Sequence, residues 1–107
     1  MVIDNNVVHV EENNQEAKAD AGKLKLTLVP TKIIECIARV RMYAVSKKYK
    51  DPENWKKVEV ERYRDAAFRH WLAYLNDPDG VDEESGLKHL DHVACNIAFL
   101  CELEDKL

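Results

Sequence analysis

The sequence predicts an all-α fold: a small three-helix bundle with a short extended N-terminal segment, completed by oligomerisation. Three observations lead there. Three stretches carry apolar residues at helical spacing. Turn-forming residues bracket each of them. A chain of 107 residues suits one domain, but a domain of that size buries a modest core, which association would supplement.

The elements follow in order. Val7, Val8 and Val10 form a brief apolar alternation, read as an edge strand or an arm. Residues 11–22 are polar and acidic and read as a linker. Residues 1–21 are therefore set apart as an N-terminal arm and linker, and 22–107 as a single helical domain. From Lys23 to Val29, leucines alternate with Lys23, Lys25 and Thr27, which suits an extended segment with leucines on one side.

A first helix is expected over about 30–48, opened by Pro30, with Ile33, Ile34, Ile37, Ala38, Arg41 and Ala44 as its inward stripe. Lys47 and Lys48 suit the negative end of its dipole. Asp51-Pro52 breaks it. A second helix is expected over about 58–75, with Tyr63, Ala67, His70, Trp71 and Tyr74 on one face. Asn76-Asp77-Pro78-Asp79-Gly80 ends it. A third is expected over about 83–103, with Asp82 as N-cap and Glu83 and Glu84 in the first turn. Leu90, Val93, Ala94, Ile97 and Cys101 make its stripe.

The totals narrow the function. Composition is 46% apolar and 34% charged, as in soluble globular chains. A net charge of −4 argues against bulk nucleic-acid binding but not against one nucleotide, which needs only a few placed cations. No run approaches a membrane span, and the N-terminus lacks a secretory pattern, so a cytoplasmic protein is expected. Cys36, Cys95 and Cys101 have no metal-binding spacing and read as free thiols in a reducing compartment.

Two constellations can carry chemistry. His89, His92 and Asn96 share one face of the third helix, at offsets of three and seven. Arg69-His70 on the second helix can oppose them, and Glu83 and Glu84 precede them. Imidazoles and an amide along a stripe can ligate a metal, bond a phosphate or grip a base. A magnesium site would draw on carboxylates such as Glu84. The ordinary alternative is a set of hydrogen-bonded core histidines. The second constellation is basic and aromatic: Lys23, Lys25, Lys47, Lys48, Tyr49, Asn54 and Trp55. Its lysines can hold phosphates while a ring stacks on a purine. The alternative is a solvated helix end with Trp55 in the core. Ser85 stands beside Gly86, but no Gly-x-Ser-x-Gly elbow, phosphate-binding loop or dinucleotide fingerprint occurs.

Four blocks then carry a resemblance: Gly22-Lys23-Leu24-Lys25-Leu26 to Pro30; Lys48-Tyr49 with Asn54-Trp55; Tyr63 with Arg69-His70; and Asp82-Glu83-Glu84-Ser85-Gly86-Leu87 with His89-Leu90, His92, Cys95-Asn96, Phe99-Leu100 and Glu102-Leu103. In this order, over roughly 22–104, the chain resembles the phage and prophage family of dATP/dGTP diphosphohydrolase N-terminal domains. The resemblance implies a phage-encoded protein that acts on purine nucleotides, releasing a monophosphate and pyrophosphate. Helical enzymes of that reaction hold magnesium with Glu-Glu-x-x-Glu followed by Glu-x-x-Asp. Here Glu59 and Glu61 precede Asp65, and Glu83-Glu84 precede Asp91, without reproducing it.

Three functions are weighed on that footing. The first is a metal-assisted pyrophosphohydrolase. His70, Glu84, His89 and His92, with Asp91, would supply base or metal ligands; Glu84, His89 and His92 are the metal set, for Mg²⁺ or another divalent ion. Lys23, Lys25, Lys48, Tyr49, Asn54, Trp55, Arg69 and Asn96 would bind the nucleotide. The second is a non-catalytic homo-oligomer that sequesters a nucleotide-derived host immune signal with the same residues. The third is a scaffold without a ligand, which the polar helix faces argue against.

Overall fold

In the computed structural model, residues 19, 21–48 and 50–105 are described. The valine arm, most of the polar linker and Tyr49 lie outside them. The chain divides into two compact units, Met1–Pro30 and Thr31–Leu107. In the first, Leu26–Leu28 closes a 3₁₀ turn through Leu28 N–H to Lys25 and Val29 N–H to Leu26. The alternation predicted extended backbone here with leucines on one side. Instead Leu26–Leu28 is a 3₁₀ turn, which does not preserve a period of two, and Leu24, Leu26 and Leu28 are all exposed.

The second unit is three helices: α1 (Lys32–Lys47), α2 (Val60–Asn76) and α3 (His89–Leu103). The all-α three-helix expectation holds. α3 is central and packs against both α1 and α2. No helix among the described residues is long and apolar enough to cross a membrane. A 3₁₀ turn at Asn54–Lys57 leads into α2, tied down by the Tyr63 hydroxyl donating to the Trp55 carbonyl at 2.7 Å. Arg41 reaches from α1 to the Pro52 carbonyl and holds the other side of the same loop.

The third helix starts six residues later than expected. Asp82 does cap a turn, but not a helix: its Oδ2 accepts the Ser85 backbone N–H at 2.8 Å. Gly86, in the left-handed region at φ +73°, then turns the chain back. Gly86 N–H bonds the Asp82 carbonyl at 2.7 Å, and Asp82 N–H bonds the Leu87 carbonyl at 2.8 Å. Residues 82–87 are thus a closed loop, and Lys88 is the N-cap of α3. Glu83 and Glu84 sit in the loop and not in a first helical turn.

The buried faces also differ from the predicted stripes. The core is small: Val40, Ala67, Ala94 and Cys95, with Asp91 and Asn96 buried beside them. On α1 the inward side runs through Cys36, Ile37, Val40 and Tyr43, while Ile33, Ile34 and Ala38 are exposed. On α3, Leu90, Ile97 and Cys101 face outward. α3 carries apolar residues on nearly every side, so periodicity alone cannot choose the face that packs. On α2, Phe68, Trp71, Leu72 and Leu75 form an exposed strip at offsets of three, four and seven.

Asp91 is 4% exposed and would be costly to bury alone. Arg39 of α1 answers it with Nε to Oδ2 at 3.1 Å and Nη2 to Oδ1 at 3.2 Å. This fork joins α1 to α3 across 52 positions of sequence.

Candidate functional site

The three helices and the 54–57 turn enclose a cleft of about 480 Å³. Its aromatic floor is Phe99, with Trp55 stacked on it at 4.8 Å and Tyr63 tilted against it at 4.8 Å. Arg41 lies over the same ring at 5.5 Å. Among the described residues, four cations line the cleft: Arg41, Lys48, Arg62 and Arg69. Lys48 pairs with Glu84 at 2.9 Å, Arg62 with Glu59 at 3.6 Å, and Arg41 donates to Pro52. Arg69 is exposed, and no carboxylate among the described residues pairs with it.

His70, His89 and His92 meet at one end. The His70 ring stacks on His92 with centroids 4.5 Å apart and planes 13° apart. His70 Nδ1 and His89 Nδ1 are 2.9 Å apart, so a single proton lies between them and at least one ring offers a lone pair. His92 Nε2 is 2.7 Å from the Ser85 hydroxyl. Burial pushes His70 below the ordinary histidine value, and His92 beside it adds to this. Burial also lowers His92, against the opposing pull of Asp82 and Asp91. Asp82 would rise through burial, but hydrogen bonds from the Ser85 backbone and side chain hold it below its usual value.

His70, His92, Asn96, Asn54, Trp55, Lys48, Arg69 and Glu84 all line the cleft, with Asp82. His89 does not; it stands behind His70 as a partner. Trp55 has one face covered by Phe99, and Asn96 donates one of its two amide N–H groups to the His92 carbonyl at 2.8 Å. Lys23 and Lys25 are exposed in the first unit, and Tyr49 is not described. The predicted metal set is not gathered: Glu84 pairs with Lys48, His89 with His70 and His92 with Ser85. Among the described residues no three His, Cys, Asp or Glu side chains are arranged around one ion position. Asp91, named with the base and ligand candidates, is instead held by Arg39.

Arg39, Arg62, Tyr43 and Phe99 were not singled out as site residues in the sequence. Arg39 has no local signal, because its partner is on another helix. The Asp82-x-x-Ser85-Gly86 pattern did carry one: Asp three residues ahead of Ser-Gly is a turn signature.

Residues 13–106 match the family described as dATP/dGTP diphosphohydrolase, N-terminal. The chain belongs to this family. A relative named dATP/dGTP diphosphohydrolase, from Salmonella phage PMBT28, is 35% identical over 83 residues. The match covers 78% of this chain and 28% of that protein. The chain therefore corresponds to less than a third of the relative's length. No solved structure matches.

Proposed function

We propose that this family member binds a purine deoxynucleoside triphosphate in the cleft and hydrolyses it to the monophosphate and pyrophosphate. One observation carries the reading: Arg69, which no carboxylate among the described residues pairs with, lines the same cleft as His70 and His92. A guanidinium supplies planar, two-pronged recognition of phosphate oxygens. A neutral imidazole beside it is the group that can take a proton from water at neutral pH. Attack of that water on the α-phosphorus breaks its bond to the α–β bridging oxygen, which leaves with pyrophosphate. Lys48 and Arg62 lie where further phosphate charge would fall, and Tyr43 and Trp55 offer ring edges and faces to a base. Glu84 is the member of the predicted metal set that is both a hard oxygen donor and at the cleft. Magnesium carried by the triphosphate would meet it there and offset phosphate charge. The name of the phage relative supports the substrate class. The reading includes self-association, supported by the exposed strip from Phe68 to Leu75, and a place in the host cytosol.

The test is incubation of the pure protein with dATP and dGTP, with magnesium or manganese, followed by ion-exchange chromatography. Monophosphate and pyrophosphate are expected, with release lowered about 10²–10⁴-fold in the variant that removes the base. Arg69→Ala should raise KM. A nucleotide bound tightly but recovered intact after denaturation would overturn hydrolysis in favour of sequestration of a nucleotide-derived signal. Absence of both binding and turnover would overturn the nucleotide reading. Sedimentation of the same sample reads the oligomeric state.

A further inference from the structure

Ser85 sits between two groups that compete for its single proton. Its oxygen is 2.7 Å from His92 Nε2 and accepts the Leu87 backbone N–H at 3.1 Å. On its other side is Asp82, whose Oδ2 already accepts the Ser85 backbone N–H and lies 3.9 Å from His92 Nε2. A hydroxyl has one proton and two lone pairs. Either Ser85 donates to the imidazole, or it donates to the carboxylate and accepts from the imidazole.

The second arrangement fills every position. Leu87 N–H and His92 Nε2–H use the two lone pairs, and the hydroxyl proton goes to the carboxylate, the stronger acceptor. Hydrogen bonding from the Ser85 side chain is among the interactions that hold Asp82 ionised. The first arrangement would aim an imidazole lone pair toward a carboxylate oxygen 3.9 Å away. The loop holds Ser85 beside Asp82: the Ser85 N–H bonds the Asp82 carboxylate, the Gly86 N–H bonds the Asp82 carbonyl, and the Asp82 N–H bonds the Leu87 carbonyl.

We infer that Asp82, Ser85 and His92 form a relay that holds His92 as the Nε2–H tautomer and leaves Nδ1 as its basic nitrogen. Asp82 and Ser85 are then positioning residues, and His92 is the base of the proposed hydrolysis, acting through Nδ1. That role rests on the nucleotide reading; the tautomer does not. No hydrogen bond engages Nδ1 among the described residues, and the ring is stacked flat on His70 and held at the cleft wall. His70 is tied through Nδ1 to His89 and supports the ring from behind.

Long-range ¹H–¹⁵N correlation on ¹⁵N-histidine-labelled protein, at a pH about two units above the ordinary histidine value, reads the tautomer directly. The wild type should show His92 protonated at Nε2 and bare at Nδ1. Asp82→Asn, which keeps an oxygen for the Ser85 N–H but removes the charge, should convert it to a mixture. Ser85→Ala should do the same, and Ser85→Thr should restore the single form. A wild-type His92 protonated at Nδ1 would overturn the relay. So would a tautomer unchanged in both Asp82→Asn and Ser85→Ala. Where the wild type turns over dATP or dGTP, Asp82→Asn should lower kcat and leave KM nearly unchanged. An Nε2–H tautomer in a protein that hydrolyses neither would uphold the relay and remove the hydrolysis reading.

Discussion

Arg39 and Asp91 stand 52 residues apart and meet in a two-pronged ion pair, Nε to Oδ2 at 3.1 Å and Nη2 to Oδ1 at 3.2 Å. Arg39 Nη2 also reaches Cys36 Sγ at 3.6 Å. Asp91 is the charged residue most deeply placed among those described. Burial would raise its pKa, but the Arg39 hydrogen bonds and charge bring it below its usual value.

Breaking that pair should be felt through Asp91. Arg39→Met leaves a buried carboxylate without its counter-charge, and Tm should fall by about 5–10 °C. Asp91→Asn, which removes charge but keeps shape, should cost less. In the double variant the two losses should not add, because they remove one interaction. Thermal melts by circular dichroism measure all three; simple additivity would contradict a direct pairing.

Stability should fall on acidification. His70 and His92 are held below the ordinary value mainly by burial. Below about pH 6.5 the unfolded chain gains protons on them that the folded chain does not. Asp82 and Asp91 act in the same sense at lower pH, since the folded state keeps them ionised. In all four cases the unfolded state binds more protons, so the folded state weakens as pH drops. Urea midpoints taken from neutrality downward should decline first through the histidine range and again through the carboxylate range. A midpoint that holds steady or rises on acidification would contradict this.

The loop that carries Ser85 depends on Gly86 for its turn. Its φ is +73°, and a Cβ there would meet nothing within 4 Å. Gly86→Ala therefore has no clash to relieve and pays only for the left-handed backbone, about 1 kcal/mol. Denaturant unfolding should show a loss of that order. An unchanged stability would mean that the loop adopts another turn.

The three thiols should react in a set order. Cys95 is 1% exposed, and burial pushes its pKa up to about 11. Cys101 is exposed on α3, and Cys36 is half-buried with a raised pKa. A thiolate is the attacking species, so Ellman's reagent should modify Cys101 first and Cys95 only on unfolding. Prompt reaction of Cys95 in the native protein would place it elsewhere than the core.

How much of this was legible in the sequence depends on the range over which each feature is decided. Three helices and their approximate ends follow from local patterns: Pro30, Asp51-Pro52 and Asn76 to Gly80 act within a few residues. The shared face of His89, His92 and Asn96 and the opposition of His70 are also consequences of helical spacing once two helices pack. The faces that pack were not decided locally. α3 is apolar on most sides, and it is small residues such as Ala67 and Ala94 that are buried, while Leu90 and Ile97 are exposed.

By itself the sequence determined the all-α class, the family, and which residue types stand near one another along each helix. Tertiary structure decided the rest. It spent Asp91 on Arg39, placed His89 behind His70, and made Asp82 the anchor of a closed loop where a helix start was expected. A helix start and this closed loop share the same first hydrogen bond, donated by a backbone N–H to the side chain of an Asp three residues earlier. Only the later course of the chain, turned back at Gly86 and bonded through Ser85 to His92, separates them. That turn brings the Ser85 hydroxyl onto the His92 imidazole, with the Asp82 carboxylate 3.9 Å from the same nitrogen.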